Sequence, residues 1–223
     1  MQEKSSVNYS LRTGGKILLL LLNFTPLVHL AACVAMVLFL PLASIWAKAG
    51  VGLAMLYLAP ALLGRFFKRG CIGHTHAAIG SRAFFFWWAS MQCQMLFGRL
   101  PMLEELLRLF PGLYSLWLRL WGSKIGRLTF WAPGTVILDR GFLHLGDDVV
   151  LGAGVRFNPH VIRKNKSGDT ELQLAPIRLG NRVSVGGYSL LTAGTMIPDD
   201  ETTRAYLLSP PFSEWNNGKR IKR

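Results

Sequence analysis

The chain has 223 residues, which is enough for one ordinary domain and an additional segment. Hydrophobic residues make up 51% of it and charged residues 17%, and its mean hydropathy of +0.31 is too high for a plain soluble domain. The formal net charge of +13 suits the anionic cytoplasmic surface of a membrane, whereas the lack of a basic helix or RNA-recognition motif argues against nucleic acid.

The first predicted element is a hairpin of two membrane-spanning helices over residues 17–64. Only Lys48 interrupts this segment with a formal charge, and its length is about twice the roughly 20 apolar residues that one crossing needs. Pro41 and the polar residues around Lys48 mark the predicted turn. The length argues against a cleavable signal peptide, and a buried helical pair in a soluble protein is the alternative.

Basic residues flank the hairpin on both sides and set its predicted orientation. They are Lys4, Arg12 and Lys16 before it, and Arg65, Lys68 and Arg69 after it. Because a hairpin places both groups on one face and cationic flanks favour the cytoplasm, we expect residues 1–16 and everything after residue 64 to be cytoplasmic.

Residues 65–122 are predicted to form interfacial or amphipathic helices. The segment 81–101, SRAFFFWWASMQCQMLFGRLP, is rich in aromatic residues, is bounded by Arg82 and Arg99, and contains no acid. This composition is typical of a helix lying in the membrane interface, and a third crossing is the alternative. The later stretch LEELLRLFPGLYSLWLRLWG is helical, is interrupted at Pro111, and could pack on lipid or on the next domain.

The connecting segment CIGHTH brings Cys71, His74 and His76 close together in sequence, with a spacing that resembles metal sites. No fourth ligand accompanies them, so we expect a polar connector and no metal. Together with Cys33 and Cys93, Cys71 makes three scattered cysteines, which provide no disulfide framework and fit a reducing compartment.

Residues 123–198 follow a six-residue period. The units read IGRLTF, WAPGTV, ILDRGF, LGDDVV, LGAGVR, FNPHVI, LGNRVS, VGGYSL and LTAGTM. The first position is apolar and the second is often Gly or Ala, which predicts an all-β, left-handed parallel β-helix of about three coils. Chance alternation in a β-sandwich is the alternative. Residues 199–223 are predicted to be a basic tail suited to acidic headgroups, through Lys219, Arg220, Lys222 and Arg223.

The units from Ile125 to Ile197, above all LGNRVSVGGYSLLTAGTMI, resemble the hexapeptide-repeat acyltransferases. The order of apolar hairpin, aromatic helix and repeat is also similar to the membrane-embedded C-terminal domains of poly-lysine synthetases. These resemblances imply a homotrimer in the bacterial inner membrane, multi-pass, with its catalytic domain in the cytoplasm. They also imply acyl-CoA or an acyl-carrier protein as co-substrate and no permanently bound cofactor.

The repeat is interrupted after Phe157, where the sequence FNPHVIRKNKSGDTELQLAPIRLG loses its apolar period. We predict a protruding loop over residues 163–175, since an excursion from a coil is least costly where it enters solvent. In family members that acetylate sugars and antibiotics, a catalytic histidine precedes such a loop, which helps to form the active site of a neighbouring subunit. In order and spacing, His160 and the later PIRLG resemble the galactoside and maltose acetyltransferases.

His160 is therefore the predicted general base. Imidazole titrates near neutral pH and can take the proton that a hydroxyl or amine loses when it attacks a thioester. Asp139 and Asp169 are the acids expected to orient the ring, with Asp139 placed in the catalytic set. A surface corner residue without a catalytic role is the alternative interpretation of His160.

The remaining site residues are assigned to the two substrates. Asn158, Asp169 and His144 are predicted to bind the acceptor. The acyl donor is expected against Gly187, Tyr188, Ala193 and Gly194. The β-helix also serves zinc carbonic anhydrases, but these need three histidines and the repeat has only His144 and His160.

The sequence as a whole predicts a membrane-anchored O- or N-acyltransferase that modifies a membrane-proximal acceptor with an acyl group, which includes acetyl. Its expected partners are membrane lipids, copies of itself, the acyl donor, and a carrier protein or biosynthetic enzyme. The alternative is a non-catalytic trimeric scaffold that holds a partner enzyme at the membrane.

Overall fold

A computed structural model describes residues 13–41 and 44–221 of the chain. The predicted flanking cations Lys4 and Arg12, and the tail residues Lys222 and Arg223, lie outside the described residues. The helices are α1 (Thr13–Leu22), α2 (Thr25–Phe39), α3 (Ile45–Leu53), a π-helical turn (Ala54–Leu58), α4 (Ala59–Lys68), α5 (Arg82–Arg99), α6 (Met102–Arg108) and α7 (Leu113–Leu120).

Within the described residues, the helix running through α3, the π-helical turn and α4 is long and apolar enough to cross a membrane, and 17% of its apolar window is buried. Helices α1 and α2 pass the same test only as a pair, with a bend of 51° between them. Helices α2 and α3 lie on either side of Pro41, and the chain beyond α3 returns to α2, where Nε2 of His29 is 3.0 Å from the Met55 carbonyl oxygen. Lys48 is not part of the turn but lies inside α3, because lysine is a good helix former and Ser44 already starts the helix in an extended conformation.

Helix α5 packs between α4 and the β-strands, so that its Trp87 is buried against protein. We expected this aromatic segment to lie in a membrane interface. It is covered by protein because its polar groups find partners there, as when the Gln92 side chain donates to Asn23 Oδ1 at 3.0 Å. Ser81 caps the helix by accepting from the Phe84 amide at 3.2 Å.

The remaining chain is built from short strands. They are β1 (His76–Ala78), β2 (Lys124–Ile125), β3 (Phe130–Trp131), β4 (Val136–Ile137), β5 (Leu143–Leu145), β6 (Val150–Leu151), β7 (Arg156–Asn158), β8 (His160–Lys164), β9 (Thr170–Leu174), β10 (Ile177–Leu179), β11 (Ser184–Val185), β12 (Leu190–Thr192), β13 (Met196–Ile197), β14 (Leu208–Ser209), β15 (Glu214–Asn216) and β16 (Lys219–Ile221).

Successive coils stack as three parallel sheets. The first contains β2, β5, β10 and β13, the second β3, β6 and β11, and the third β4, β7, β12 and β14. Inward side chains form columns, since Ile125 lies beside Leu145, Leu145 beside Leu179, and Leu179 beside Ile197. The parallel coils predicted from the six-residue period are present, and the sense of their winding stays a prediction.

The boundary predicted at residue 198 is too early, because the repeat continues into a fourth coil. Leu207 is buried, β14 pairs with β12, and the antiparallel pair β15–β16 ends the stack. Residues 199–221 are therefore not a tail. The six-residue pattern fades here because hydroxyl groups replace aliphatic packing, as when Thr195 and Trp215 both hydrogen-bond the Ser209 hydroxyl.

The loop predicted over residues 163–175 is instead a β-hairpin. Strands β8 and β9 pair from His160 opposite Leu174 to Lys164 opposite Thr170, and β1 joins β9 as a third strand. Alternation along β9 turns Leu172 and Leu174 into a core shared with Trp87. The pairing of β9 with β1 is remote in sequence, so the local pattern gave no sign of it.

One hydrophobic core runs without interruption from the helices into the coils. Phe97, Trp117 and Trp121 belong to the same buried cluster as Ile125 at the start of the first coil. Helix α4 approaches Trp121 closely at Gly64, where an added Cβ atom would lie 2.3 Å from the indole ring. The helices and the β-helix thus form one packed unit through this contact.

We predict that Gly64→Ala destabilises the protein by about 1–3 kcal/mol, because the new methyl group would force Trp121 or α4 to shift. Thermal unfolding of the full chain in detergent measures the effect. Gly50→Ala, in the same continuous helix but with open space around the position, is the matched control and should be neutral or slightly stabilising. Equal stability of the two variants would contradict the packing described here.

Candidate active site

His160 lies at the start of β8, where the hairpin leaves the third sheet, and its Nδ1 atom is 2.5 Å from Oδ2 of Asp139. Asp139 is 1% exposed and follows β4 in the preceding coil. A carboxylate can only accept, so Nδ1–H donates and the lone pair of the neutral ring lies on Nε2. The geometry therefore provides a histidine whose Nε2 can accept a proton.

Trp87 of α5 holds the same carboxylate from its other side. Its indole Nε1 donates to Asp139 Oδ1 at 2.9 Å, and its ring meets the His160 ring edge-on with centroids 4.8 Å apart. Each oxygen of the buried Asp139 thus accepts a hydrogen bond, which stabilises the charge. Helix α5 supplies this third group, and nothing in the composition of the segment predicted it.

Burial and charge act on His160 in opposite directions. Desolvation lowers the pKa of His160, but the Asp139 charge and its hydrogen bond raise the pKa, and the net result lies above the ordinary value of 6.5. The ring is thereby made a stronger base than a free imidazole. Above this pKa the ring is neutral and able to accept a proton.

His160 lines a cavity of about 390 Å³ between α5, α6 and the third sheet. One wall consists of helical residues that include Met91, Met95 and Phe97, and the opposite wall is formed by residues 135–138. Both walls are largely apolar. His160 therefore faces a cavity that is partly enclosed by protein and partly open to solvent.

A buried charge network forms the floor of this cavity. Glu104 accepts hydrogen bonds from Arg108, Arg140 and Tyr114, and Arg108 also donates to the Thr135 carbonyl at 2.9 Å. Arg108 also pairs with Glu105 at 2.5 Å, so the two guanidinium groups meet two carboxylates and the network carries no net charge. Arg156 also lines the cavity, and its positive charge forms no salt bridge within residues 13–41 and 44–221.

The structure brings together only some of the predicted acceptor residues. Asn158 lies two residues before His160, and its Oδ1 atom is buried without a hydrogen-bond partner among the described residues. Asp169 is in the hairpin turn, where its amide donates to Asn165. His144 lies on the outer face of the first sheet and lines a different cavity.

None of the four predicted donor residues lines the His160 cavity. Ala193 and Gly194 are buried, and an added Cβ atom at Gly194 would meet the Phe212 ring at 2.5 Å. Tyr188 is exposed and stacks on Tyr206 with ring centroids 5.4 Å apart. The positive φ angles of Gly194 and Tyr188 identify both as coil corners.

The described part of the chain contains no group of three His, Cys, Asp or Glu side chains that could hold a metal ion. His76 pairs with Glu171 at 3.2 Å and stacks on Phe212, while Cys71 is buried. The CIGHTH segment thus secures β1 to the hairpin and to the last coil.

Comparisons with known proteins give structural neighbours only. No protein-family model matches the chain, and no curated protein matches it. Three similar solved structures each match 56% of this chain. A maltose O-acetyltransferase from Clostridium difficile 630 and a hexapeptide-repeat acetyltransferase from Vibrio cholerae O1 biovar eltor, complexed with acetyl coenzyme A, each show 16% sequence identity, coverage of 84% of their own chain and a TM-score of 0.37. A galactoside acetyltransferase in complex with coenzyme A shows 14% identity, coverage of 80% of its own chain and a TM-score of 0.35. All three are acetyltransferases by name.

We predict that Asp139→Asn lowers the pKa of His160 below 6.5, because burial would remain while the neighbouring charge is lost. The stabilisation that Asp139 gives to protonated His160 is fully present below pH 6.5 and disappears as the pH rises through the raised pKa. NMR titration of the His160 ring measures the change. Asp169→Asn is the control and should leave the titration of His160 as it is; an unchanged His160 pKa in Asp139→Asn would contradict the pairing.

Proposed function

We propose that the protein is a membrane-anchored acyltransferase that moves an acyl group from a CoA or carrier-protein thioester to a hydroxyl or amine of a membrane-proximal acceptor. The observation that carries the proposal is the pair of His160 and buried Asp139 at a partly enclosed cavity. An imidazole oriented by a carboxylate is the arrangement that general-base catalysis requires.

In the proposed reaction, His160 Nε2 takes the proton from the acceptor O–H or N–H as the oxygen or nitrogen attacks the thioester carbonyl. The new C–O or C–N bond forms, the C–S bond breaks, and the proton returns from His160 to the thiolate leaving group. Asp139 stabilises the imidazolium between these steps and keeps Nδ1 as the donor. Trp87 is a positioning residue because it holds Asp139 and does not meet the reacting atoms in this scheme.

The walls of the cavity favour an amphipathic acceptor. Methionine and phenylalanine side chains on α5 offer an apolar surface of adaptable shape, while the Arg156 side chain attracts oxygen atoms with negative charge. Helix α5 also packs against α4, at the end of the helix that is apolar enough to span a membrane. An acceptor held at the membrane surface would be close to this cavity.

The donor class and the homotrimer rest on the sequence resemblance. A thioester donor provides a thiolate leaving group, to which His160 can return the proton. One chain already supplies His160, Asp139, Trp87 and both cavity walls. Native mass spectrometry in mild detergent tests whether the chain forms the trimer.

We predict that His160→Ala lowers acyl transfer by roughly 10²–10⁴-fold, mainly in kcat, because the proton is removed in the transition state. Thioester consumption by the full chain, with membrane extract as the source of acceptor, provides the assay. In the unmodified protein the rate should rise as the pH increases through the raised pKa of His160.

His74→Ala is the matched control, since His74 is exposed and lies outside the His160 cavity. It should retain full activity and the unfolding temperature of the parent. His160→Ala should unfold at a lower temperature, because the buried Asp139 loses one partner, but should still unfold cooperatively. Normal turnover by folded His160→Ala would remove the catalytic assignment. Absence of thioester turnover in the unmodified protein, together with tight retention of a partner enzyme, would favour the scaffold.

The proposal includes two membrane crossings with the β-helix in the cytoplasm of a bacterium. Reporters fused to either end of the chain should both be active in the cytoplasm, because the cationic flanks of a hairpin lie on one face. Reporters on opposite faces would exclude the two-crossing topology and would separate one end from the cytoplasmic pool of thioesters.

A further inference from the structure

A second cavity, of about 580 Å³, lies between the end of α4 and the outer face of the first sheet. Six basic side chains line it, and no Asp or Glu does. They are Arg65, Lys68, Arg69, Lys124, His144 and Arg178. We refer to these residues as the basic pocket. It shares no lining residue with the cavity at His160.

Lys68 is held in the basic pocket by uncharged groups. Its Nζ atom donates to the carbonyl oxygens of Gly122 at 2.8 Å and Gly141 at 2.5 Å, and it lies 4.9 Å from the centre of the Phe142 ring. An added Cβ atom at Gly141 would lie 2.9 Å from the Lys68 side chain, so this position of Lys68 requires glycine at residue 141. The ammonium group is thus fixed in place while its charge is not neutralised.

The other cations are equally uncompensated. Within residues 13–41 and 44–221, none of the six side chains of the basic pocket forms a salt bridge. Surface cations spread out when they repel one another, whereas here three elements bring them around one concavity: α4 with the turn after it, β2 and β10.

His144 lies inside the basic pocket, among these cations. It lies on β5 between Lys124 on β2 and Arg178 on β10, with Lys68 approaching from α4. Burial, followed by the charges of Arg178, Lys124 and Lys68, lowers the pKa of His144 to about 4. The three cations thus act in the same direction as burial and disfavour the protonated ring of His144.

We propose that the basic pocket binds a phosphate or diphosphate group. Arginine and lysine side chains form their strongest hydrogen bonds with such oxygens, and an anion in the pocket would relieve the mutual repulsion of the cations. The volume accommodates a diphosphate with its ester substituents. The inference does not depend on acyl transfer, because it concerns a separate cavity and is tested by binding.

Two sources can supply this group. The pocket begins where α4 ends, and the apolar side chains of Leu62, Leu63 and Phe66 are exposed along the preceding turns. A lipid whose acyl chains contact these residues would bring its phosphate to Arg65, Lys68 and Arg69. The second source is a soluble phosphorylated compound that enters from the side of the β-helix.

The test is calorimetric titration of the full chain in an uncharged detergent with three probes: dihexanoyl phosphatidic acid, dihexanoyl phosphatidylcholine and sodium pyrophosphate. We expect phosphatidic acid to bind more tightly than zwitterionic phosphatidylcholine. Binding of phosphatidic acid without pyrophosphate would identify a lipid phosphate, and binding of both would identify a site for phosphate from either source. Failure of both anionic probes to bind would overturn the proposal.

The paired substitution Lys124→Gln and Arg178→Gln should weaken binding of the anionic probes by roughly tenfold to a hundredfold, as expected for the loss of charge-assisted hydrogen bonds. The matched control removes two charges elsewhere, through Lys164→Gln and Arg204→Gln, which are exposed and outside the basic pocket. The control should bind almost as the parent does. Equal weakening of both pairs would show only diffuse attraction to net charge and would overturn the proposal.

An NMR titration of His144 locates the bound probe. An anion beside Lys68, Lys124 and Arg178 should raise the pKa of His144 from about 4 toward its ordinary range, because it offsets their charges. The His144 ring resonances are followed and not the affinity, because pyrophosphate also changes its protonation with pH and would alter the affinity by itself. Saturating binding that leaves the His144 pKa unchanged would place the anion outside the pocket and contradict the inference.

Discussion

The first coil of the β-helix would expose its inward apolar side chains to water if nothing covered its end. Leu118 and Trp121 of the α7 region provide this cover and are almost fully buried in the same cluster as Ile125. A buried tryptophan of this kind removes roughly 150–250 Å² from water, which amounts to about 4–6 kcal/mol as an upper estimate. Trp121 in turn fixes α4 through Gly64, and α4 carries α5. The positions of the His160 cavity and the basic pocket both follow from this one packing arrangement.

The acidic residues of the chain are few, and the structure uses several of them in its interior. Asp139 and Glu104 are buried with donors on each carboxylate, and Glu201 accepts from the amides of Asn217 and Gly218 at the end of the stack. Loss of one partner from such a buried group lowers the free energy of unfolding by about 3–5 kcal/mol, so these carboxylates are held firmly by their partners. The 12 acids therefore leave much of the positive charge of 25 Lys and Arg unopposed at the surface, where the basic pocket collects part of it.

The sequence predicts the parts of this fold that depend on local periodicity. Inward positions recur every six residues, so the coils from Ile125 to Ile197 were predictable, and so was His160 at the point where the period stops. Pairing over long separations was not, since neither the union of β1 with β9 nor the contact of Trp87 with Asp139 leaves a local pattern. Asp139 and Asp169 were both candidate acids, and the six-residue pattern did not distinguish them; the structure brings Asp139 to the His160 ring. The sequence does not show which of the residues expected to bind the acyl donor are exposed, and Ala193 is buried in the structure.

The π-helical turn at Ala54–Leu58 separates two stretches of helix that have different surroundings. No residue of α3 is buried, whereas Ala61 and Gly64 of α4 are, and the carbonyl of Tyr57 accepts a hydrogen bond from the Trp117 indole at 2.9 Å. Each residue rotates a helix by about 100°, so a π-helical turn changes the phase between the stretches on its two sides. Loss of a single residue here would keep the segment just as apolar while turning α3 away from its present orientation. For this helix, residue count is therefore under tighter restraint than residue identity, and natural variation along it should favour exchanges of apolar side chains over insertions and deletions.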